Sequence, residues 1–167
     1  MDVRIRLAER RDAAGIRTIH NHYVTGSTAM FDLVARTLDE QVQWIDDHSG
    51  GHPAVVAVVD GEGTERTVAF GSLSPFRARP AYATTVEDSV YVDPEYQQRG
   101  VGRAVLAELL RLAELHGFHS VIARITGDND ASIALHAALG FDLVGTEREI
   151  GRKFGRWLDV VEMQRLL

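Results

Sequence analysis

Cysteine is absent from this 167-residue chain. That excludes disulfide cross-links and any mechanism built on a cysteine acyl-enzyme. Long apolar runs are absent too, and none approaches the roughly 20 residues that a bilayer-spanning helix needs. Basic charge is scarce. The chain carries 18 Lys and Arg against 24 Asp and Glu, a formal net charge of −6, whereas a nucleic-acid binder shows a basic surplus. Met1 to Leu7 alternates charged and apolar residues, unlike a secretory signal. The sequence also lacks Gly-x-x-x-x-Gly-Lys-Ser/Thr, the Gly-x-Ser-x-Gly elbow and His-Glu-x-x-His. His20 and His22 share a spacing but have no third ligand nearby in sequence. These absences lead us to expect a cytoplasmic protein with no metal, no nucleic acid and no membrane partner. No repeat, low-complexity tract or linker divides the chain, so residues 1–167 read as one domain.

What is present is a regular alternation of element signals. Val3, Ile5 and Leu7 alternate with Arg4 and Arg6 as a half-buried strand does. Asp12 to Val24 reads as a helix with Ile16, Ile19 and Tyr23 on one face. Thr37-Leu38-Asp39-Glu40 matches a capping box and opens a helix through Trp44. Pro53 to Val59 and Thr67 to Leu73 form a hairpin about Asp60-Gly61. Thr85 to Val92 is a strand feeding a helix from Gly100 to His116, which Gly117 ends. Ser120 to Ile125 is a buried strand. Asp128 or Asn129 caps a helix to Leu139, closed by Gly140. Phe141 to Thr146 and Trp157 to Met163 are the last strands. The order of the second half implies an α/β sheet with a parallel section.

The most informative stretch is Gln97-Gln98-Arg99-Gly100-Val101-Gly102-Arg103, just after the strand Thr85 to Val92. It falls at a helix start, where unpaired N–H groups and the positive end of the helix dipole favour an anion. Gly100 and Gly102 allow a phosphate close to the backbone, and Arg99 and Arg103 add positive charge. A tight turn with a solvated arginine pair is the alternative. The dinucleotide fingerprint does not fit, because Val105 stands where its third glycine belongs.

With these motifs placed, the chain resembles a GNAT-type N-acetyltransferase. Gln97 to Gly102 is similar to that superfamily's pyrophosphate loop, Gln/Arg-x-x-Gly-x-Gly/Ala. Asn129 to Phe141 is similar to its later helix, where an Asn and a small residue lie by the CoA arm. Asn21-His22-Tyr23, Thr28-Ala29-Met30-Phe31, Ser74 to Tyr82, Thr85 to Val92 and Gly151 to Trp157 resemble the branch acting on phosphinothricin, methionine sulfoximine and methionine sulfone. The resemblance implies a single-domain α/β fold with a mixed, mostly antiparallel sheet, a parallel section and flanking helices. It also implies acetyl-CoA as cosubstrate, a small amino-acid substrate and a homodimer.

Residue by residue, the resemblance makes Glu87 the general base; acidic residues are depleted in strands, so Glu87 and Asp88 need a reason to be there. Asp88 points to the opposite face by strand alternation and receives no catalytic role. The Val92 N–H would polarise the thioester, provided the strand splays near Tyr91 and Asp93. Val90, Tyr91 and Val92 would lie along the pantetheine arm, with Gln97 to Arg103, Asn129 and Ser132 around the rest of the cofactor. His136, one turn after Ser132, stands where many members carry a tyrosine acid; it is either that acid or structural. Arg77 and Arg79 point to one side if extended. With Tyr82 they would hold a carboxylate, phosphinate or sulfone, or lie in a solvated loop. Phe31 would pack on the substrate's aliphatic part or in the core. Arg152 and Lys153 would line the site or a dimer contact. Competing readings are a protein or peptide N-acetyltransferase, a non-catalytic acyl-CoA sensor and a nucleotide-binding module.

Overall fold

Ala54 to Val59 is the most continuously apolar stretch of the chain, and in the computed structural model it becomes a strand buried along its length. The structure describes residues 2–61 and 63–167, so Met1 and Glu62 lie outside the described residues. The strands are β1 (Val3–Leu7), β2 (Ala54–Asp60), β3 (Glu65–Pro75), β4 (Thr85–Val92), β5 (Ser120–Thr126), β6 (Asp142–Lys153) and β7 (Arg156–Leu166). The helices are α1 (Ala13–Gly26), α2 (Leu38–Asp47), α3 (Val101–Leu115) and α4 (Asp130–Ala138). One sheet runs β1-β2-β3-β4-β5-β7-β6. Only β4 and β5 pair in parallel; the other neighbours are antiparallel.

The burial of β2 follows from having helices on both faces of the sheet. Val56 and Val58 pack with Phe70 against Ala13, Ile16, Ile19 of α1 and Ile45 of α2. Val55, Ala57 and Val59 face the other way, into a core with Val105, Leu106 and Leu109 of α3. A strand covered on both faces reads as a continuous apolar run rather than an alternation. Both layers pin β3 and β4 between helices, and those strands carry the site.

The capping box forms as expected. The Thr37 hydroxyl accepts from the Glu40 N–H at 3.2 Å, and the Glu40 carboxylate accepts from the Thr37 N–H at 2.7 Å. The helix continues past Trp44 to Asp47. The larger differences lie near the C-terminus. The strands expected at Phe141 to Thr146 and Trp157 to Met163 are longer, Asp142–Lys153 and Arg156–Leu166. Register shifts between Leu143 and Gly145 and between Glu147 and Gly151 break the two-residue periodicity of β6, so its polar half shows no strand pattern. Phe154 and Gly155, with φ of 52° and 73°, turn the chain tightly into β7. Short 3-10 turns at Arg10–Asp12, Pro80–Tyr82 and Pro94–Tyr96 were not anticipated.

Candidate active site

The two faces of β4 look into two connected cavities. Glu87, Ser89 and Tyr91 share one face and Asp88, Val90 and Val92 the other, as strand alternation requires. The register with β3 extends the first face: Ser74 pairs with Glu87, Ser72 with Ser89 and Phe70 with Tyr91. These six residues line a cavity of about 300 Å³, completed by residues that include His20 of α1, Phe31, Asp32 and Arg36 of the α1–α2 loop, Trp44 of α2 and Arg124 of β5. The second cavity, about 560 Å³, lies along Asp88, Val90 and Val92, under the start of α3 and beside α4. The two meet at Ala29, Tyr91, Arg124 and Thr126.

The junction exists because β4 and β5 separate. Their parallel pairing runs only from Thr85 opposite Ser120 to Asp88 opposite Ala123. Beyond it β4 stays on β3, while Arg124 to Thr126 of β5 follows β7. The Asp93 N–H donates to the Val68 carbonyl on the β3 side, at 2.9 Å. Successive strand amides point to alternate edges, so the N–H groups of Val92 and Val90 point into the gap. The splay that the resemblance needs is therefore present at these residues. The Val92 carbonyl is held by the Tyr23 hydroxyl, which donates to it at 2.7 Å and accepts from the Gln97 amide at 2.8 Å. Burial raises the Tyr23 phenol above its ordinary range, so it stays a donor.

At the start of α3, Gly100 is the N-cap with φ of +81°, and Gln98 has φ of +57°. Glycine takes the first conformation without a steric cost. Gln97, Gln98, Gly100, Gly102 and Arg103 all line the larger cavity. Val101 is packed in the core instead, and Arg99 lies over the Tyr96 ring, outside the lining. Asn129 and Ser132 line the opposite wall, where the Asn129 side chain accepts from the Ser132 N–H at 3.2 Å and caps α4. A Cβ on Gly102 would sit 3.4 Å from Val92 and 3.5 Å from Leu135 side chains, between the two walls. Gly102→Val should therefore narrow the cleft and raise the KM for acetyl-CoA roughly tenfold or more. Steady-state kinetics with acetyl-CoA varied tests this, and an unchanged KM would place the pyrophosphate elsewhere.

His136 is buried at the back of this cavity. Its Nε2 lies 3.0 Å from an Asp88 carboxylate oxygen, and its Nδ1 faces the Ser132 carbonyl at 2.7 Å and the Ser132 hydroxyl at 3.4 Å. Burial alone would lower the imidazole pKa. The Asp88 hydrogen bond and charge, with the Ser132 carbonyl, outweigh it and leave the pKa raised. Asp88 thus faces away from Glu87 as expected, yet it belongs to the site as the partner of His136. The alternation showed its direction; nothing in the sequence showed a histidine waiting there. Its other oxygen, Oδ1, is buried without a hydrogen-bond partner among the described residues.

Glu87 is half-buried in the smaller cavity, and its carboxyl is raised above the usual range. Burial is the main cause; Arg124 opposes it, and the Asp88 and Glu162 carboxylates add to it. Phe31 is 43% exposed, so it is a cavity wall and not core. Its ring rests on the backbone of Gly151, where a Cβ would come within 2.5 Å of it. Lys153 is buried and donates to the carbonyls of Met30 at 2.6 Å and Tyr23 at 3.3 Å, tying the loop that bears Phe31 to the end of β6. Arg152 instead stacks on exposed Trp157. Arg77 stacks on Phe76 and Tyr82, Arg79 stands at the N-cap position of the Pro80–Tyr82 turn without a side-chain hydrogen bond to it, and none of Arg77, Arg79 and Tyr82 lines either of these two cavities. The sequence reading passed over Asp32, Arg36 and Arg124, which sit in a loop without periodicity and at an ordinary strand position. Tyr23 had a signal, since Asn21-His22-Tyr23 is part of the resemblance.

A long cleft edged by strand amides and a helix N-terminus thus opens on a small charged pocket. Residues 16–141 match the acetyltransferase (GNAT) family, and the chain belongs to it: this is an acetyl-CoA-dependent N-acetyltransferase. It is 37% identical to the phosphinothricin N-acetyltransferase of Streptomyces coelicolor, over 99% of this chain and 97% of that protein. It is 36% identical to the L-methionine sulfoximine/L-methionine sulfone acetyltransferase of Salmonella typhimurium, over 96% and 92% of the two chains. The crystal structure of a phosphinothricin acetyltransferase from Sinorhizobium meliloti in complex with AcCoA superposes with a TM-score of 0.93 at 38% identity, covering 100% of this chain and 89% of that one.

Proposed function

We propose that the enzyme, one domain over residues 1–167, acetylates the α-amine of a small amino acid or analogue of the phosphinothricin, methionine sulfoximine or methionine sulfone type. The observation that carries this reading is the smaller cavity. It is charged, about 300 Å³, and joins the larger cleft only at four residues. That volume is at the small end for a ligand site. A peptide substrate calls for an open groove, and a mere acyl-CoA sensor needs no acceptor pocket.

The residues around the larger cavity fit acetyl-CoA, which supplies the acetyl group as a thioester. Gln97, Gln98, Gly100, Gly102 and Arg103 would hold the pyrophosphate on the free amides of α3. Val90, Tyr91, Asn129 and Ser132 would flank the pantetheine arm. The Val92 N–H donates to the thioester carbonyl oxygen, a fixed dipole that needs no reorganisation. Glu87 takes the ammonium proton, directly or through water; its raised pKa narrows the gap to that of the α-ammonium. As the new C–N bond forms and the C–S bond breaks, His136 returns a proton to the thiolate. The Ser132 hydroxyl stands beside its Nδ1 and lines the cleft. Phe31 contacts the acceptor's aliphatic part. Arg77, Arg79 and Tyr82 stay candidates for its anionic end in an assembly larger than one chain.

A cytoplasmic homodimer completes the reading. Its support is an exposed apolar surface at the mouth of the pocket: Leu33 and Val34 follow Phe31, and Ile150 precedes the Gly151 on which Phe31 rests. The deciding experiment is thiol release from acetyl-CoA, screened against phosphinothricin, methionine sulfoximine, methionine sulfone and ordinary amino acids. Saturable release with one of them is expected. No release with any, beside tight acetyl-CoA binding by calorimetry, would move the function to a protein substrate or to a sensor.

A further inference from the structure

The smaller cavity holds one cation whose hydrogen bonds are left largely unmade. Arg124 is taken up: it is hydrogen-bonded to Glu147 and lies 4.0 Å from Glu162. Arg36 is different. Its guanidinium reaches Asp32 at 3.3 Å and the Gln41 side-chain oxygen at 3.4 Å, both at the long limit for a hydrogen bond. Asp32 in turn is shared with His20, whose Nε2 is closer, at 3.0 Å. The guanidinium is half-buried over the Trp44 ring, 5.5 Å from its centroid.

The frame around Arg36 is rigid although it lies in a loop. The Asn21 side chain accepts from the Arg36 N–H at 2.8 Å and donates to the Arg36 carbonyl at 3.0 Å, so both backbone groups are clamped. Thr37, the next residue, is the N-cap of α2. A desolvated guanidinium with a fixed backbone, an aromatic floor and spare donors is preorganised for an oxyanion.

We propose that Arg36 is a specificity-determining residue of the acceptor pocket, binding an oxyanion of the amino-acid substrate while Asp32 keeps the guanidinium turned toward the cavity. This inference rests on the amino-acid acceptor reading above. The oxyanion has two possible sources, the α-carboxylate and an acidic side-chain group such as a phosphinate. Both present paired oxygens to the same planar fork.

The test measures KM and kcat of the wild type, Arg36→Ala and Arg36→Lys with acetyl-CoA saturating, then KM for acetyl-CoA with the acceptor saturating. Acceptors are phosphinothricin, methionine sulfone and the α-carboxamide of each. Arg36→Ala should raise the acceptor KM roughly 10- to 100-fold and leave that of acetyl-CoA unchanged. Arg36→Lys should recover only part, because an ammonium lacks the planar fork. If the defect appears with both free acids and vanishes with both amides, the α-carboxylate is the ligand. If it persists with phosphinothricin amide and is absent for methionine sulfone, the phosphinate is. Normal acceptor kinetics in both variants, beside a wild type that acetylates these amino acids, would overturn the role of Arg36 alone. A wild type that acetylates none of them would overturn the acceptor reading and this inference with it.

Discussion

Glu87→Gln should lower kcat roughly 10²- to 10³-fold at neutral pH, the usual worth of a positioned general base, and leave the KM for acetyl-CoA unchanged. Glutamine keeps the size and the hydrogen-bonding reach of the side chain, so packing around β4 is retained. It loses only the ability to take a proton. The separation of the two effects follows from the geometry: Glu87 lines the acceptor cavity, and the cofactor residues line the other. The pH profile gives a second reading. Burial raises the Glu87 carboxyl above its ordinary 4.5, so wild-type kcat/KM should fall on the acid side through a midpoint higher than 4.5. In Glu87→Gln that midpoint should vanish, leaving only titration of the substrate amine. Unchanged turnover would remove Glu87 as the base. Asp32 would then be the base to examine, being the other carboxylate among the described residues that line the same cavity.

The difference between what could be read in the sequence and what could not lies in how far each interaction reaches along the chain. The glycine-rich start of α3, the capping box at Thr37 and the alternation that separates Glu87 from Asp88 are local: each is written in a few neighbouring residues. Their placement followed directly. The acceptor cavity is not local. Phe31 and Arg36 come from the α1–α2 loop and Trp44, Ser74, Glu87 and Arg124 from α2, β3, β4 and β5, and the register of β3 on β4 and the loop packing bring them together. The buried apolar run of β2 showed that a strand is covered on both faces, but not which helices cover it. The surroundings of Arg77 are not local either: its spacing from Arg79 suggested paired capture of an anion but did not show that Arg77 lies on Phe76 and Tyr82 within one chain. The polar half of β6 escaped notice because its bulges remove the periodicity by which strands are recognised.

Asp88→Asn should change the protein in a way that depends strongly on pH. In the wild type the buried Asp88 side chain favours the protonated form of His136, raising the imidazole pKa above its ordinary 6.5. A histidine raised in the folded state contributes stability that is fully present below its unfolded pKa and is lost as pH rises through the folded value. The stabilising contribution of the raised histidine is therefore fully present well below pH 6.5 and is lost as pH rises through the folded value. Removing one partner of a buried ion pair costs about 3–5 kcal/mol when the other charge stays uncompensated. At pH 6 Asp88→Asn should cost more stability than at pH 8, and less than that figure, because the His136 imidazole can give up its proton. At pH 8 His136 can shed its proton, so the loss should be distinctly smaller. Urea unfolding at the two pH values measures the difference, and NMR titration of the His136 ring should show its pKa fall in the variant. Activity should move in the same sense. Raising the imidazole pKa enlarges the fraction of His136 that carries a proton to give to a thiolate. Loss of Asp88 should shift the alkaline limb of kcat to lower pH. Equal destabilisation at both pH values, with an unmoved alkaline limb, would reduce Asp88 to a packing residue and leave His136 without a means of staying protonated.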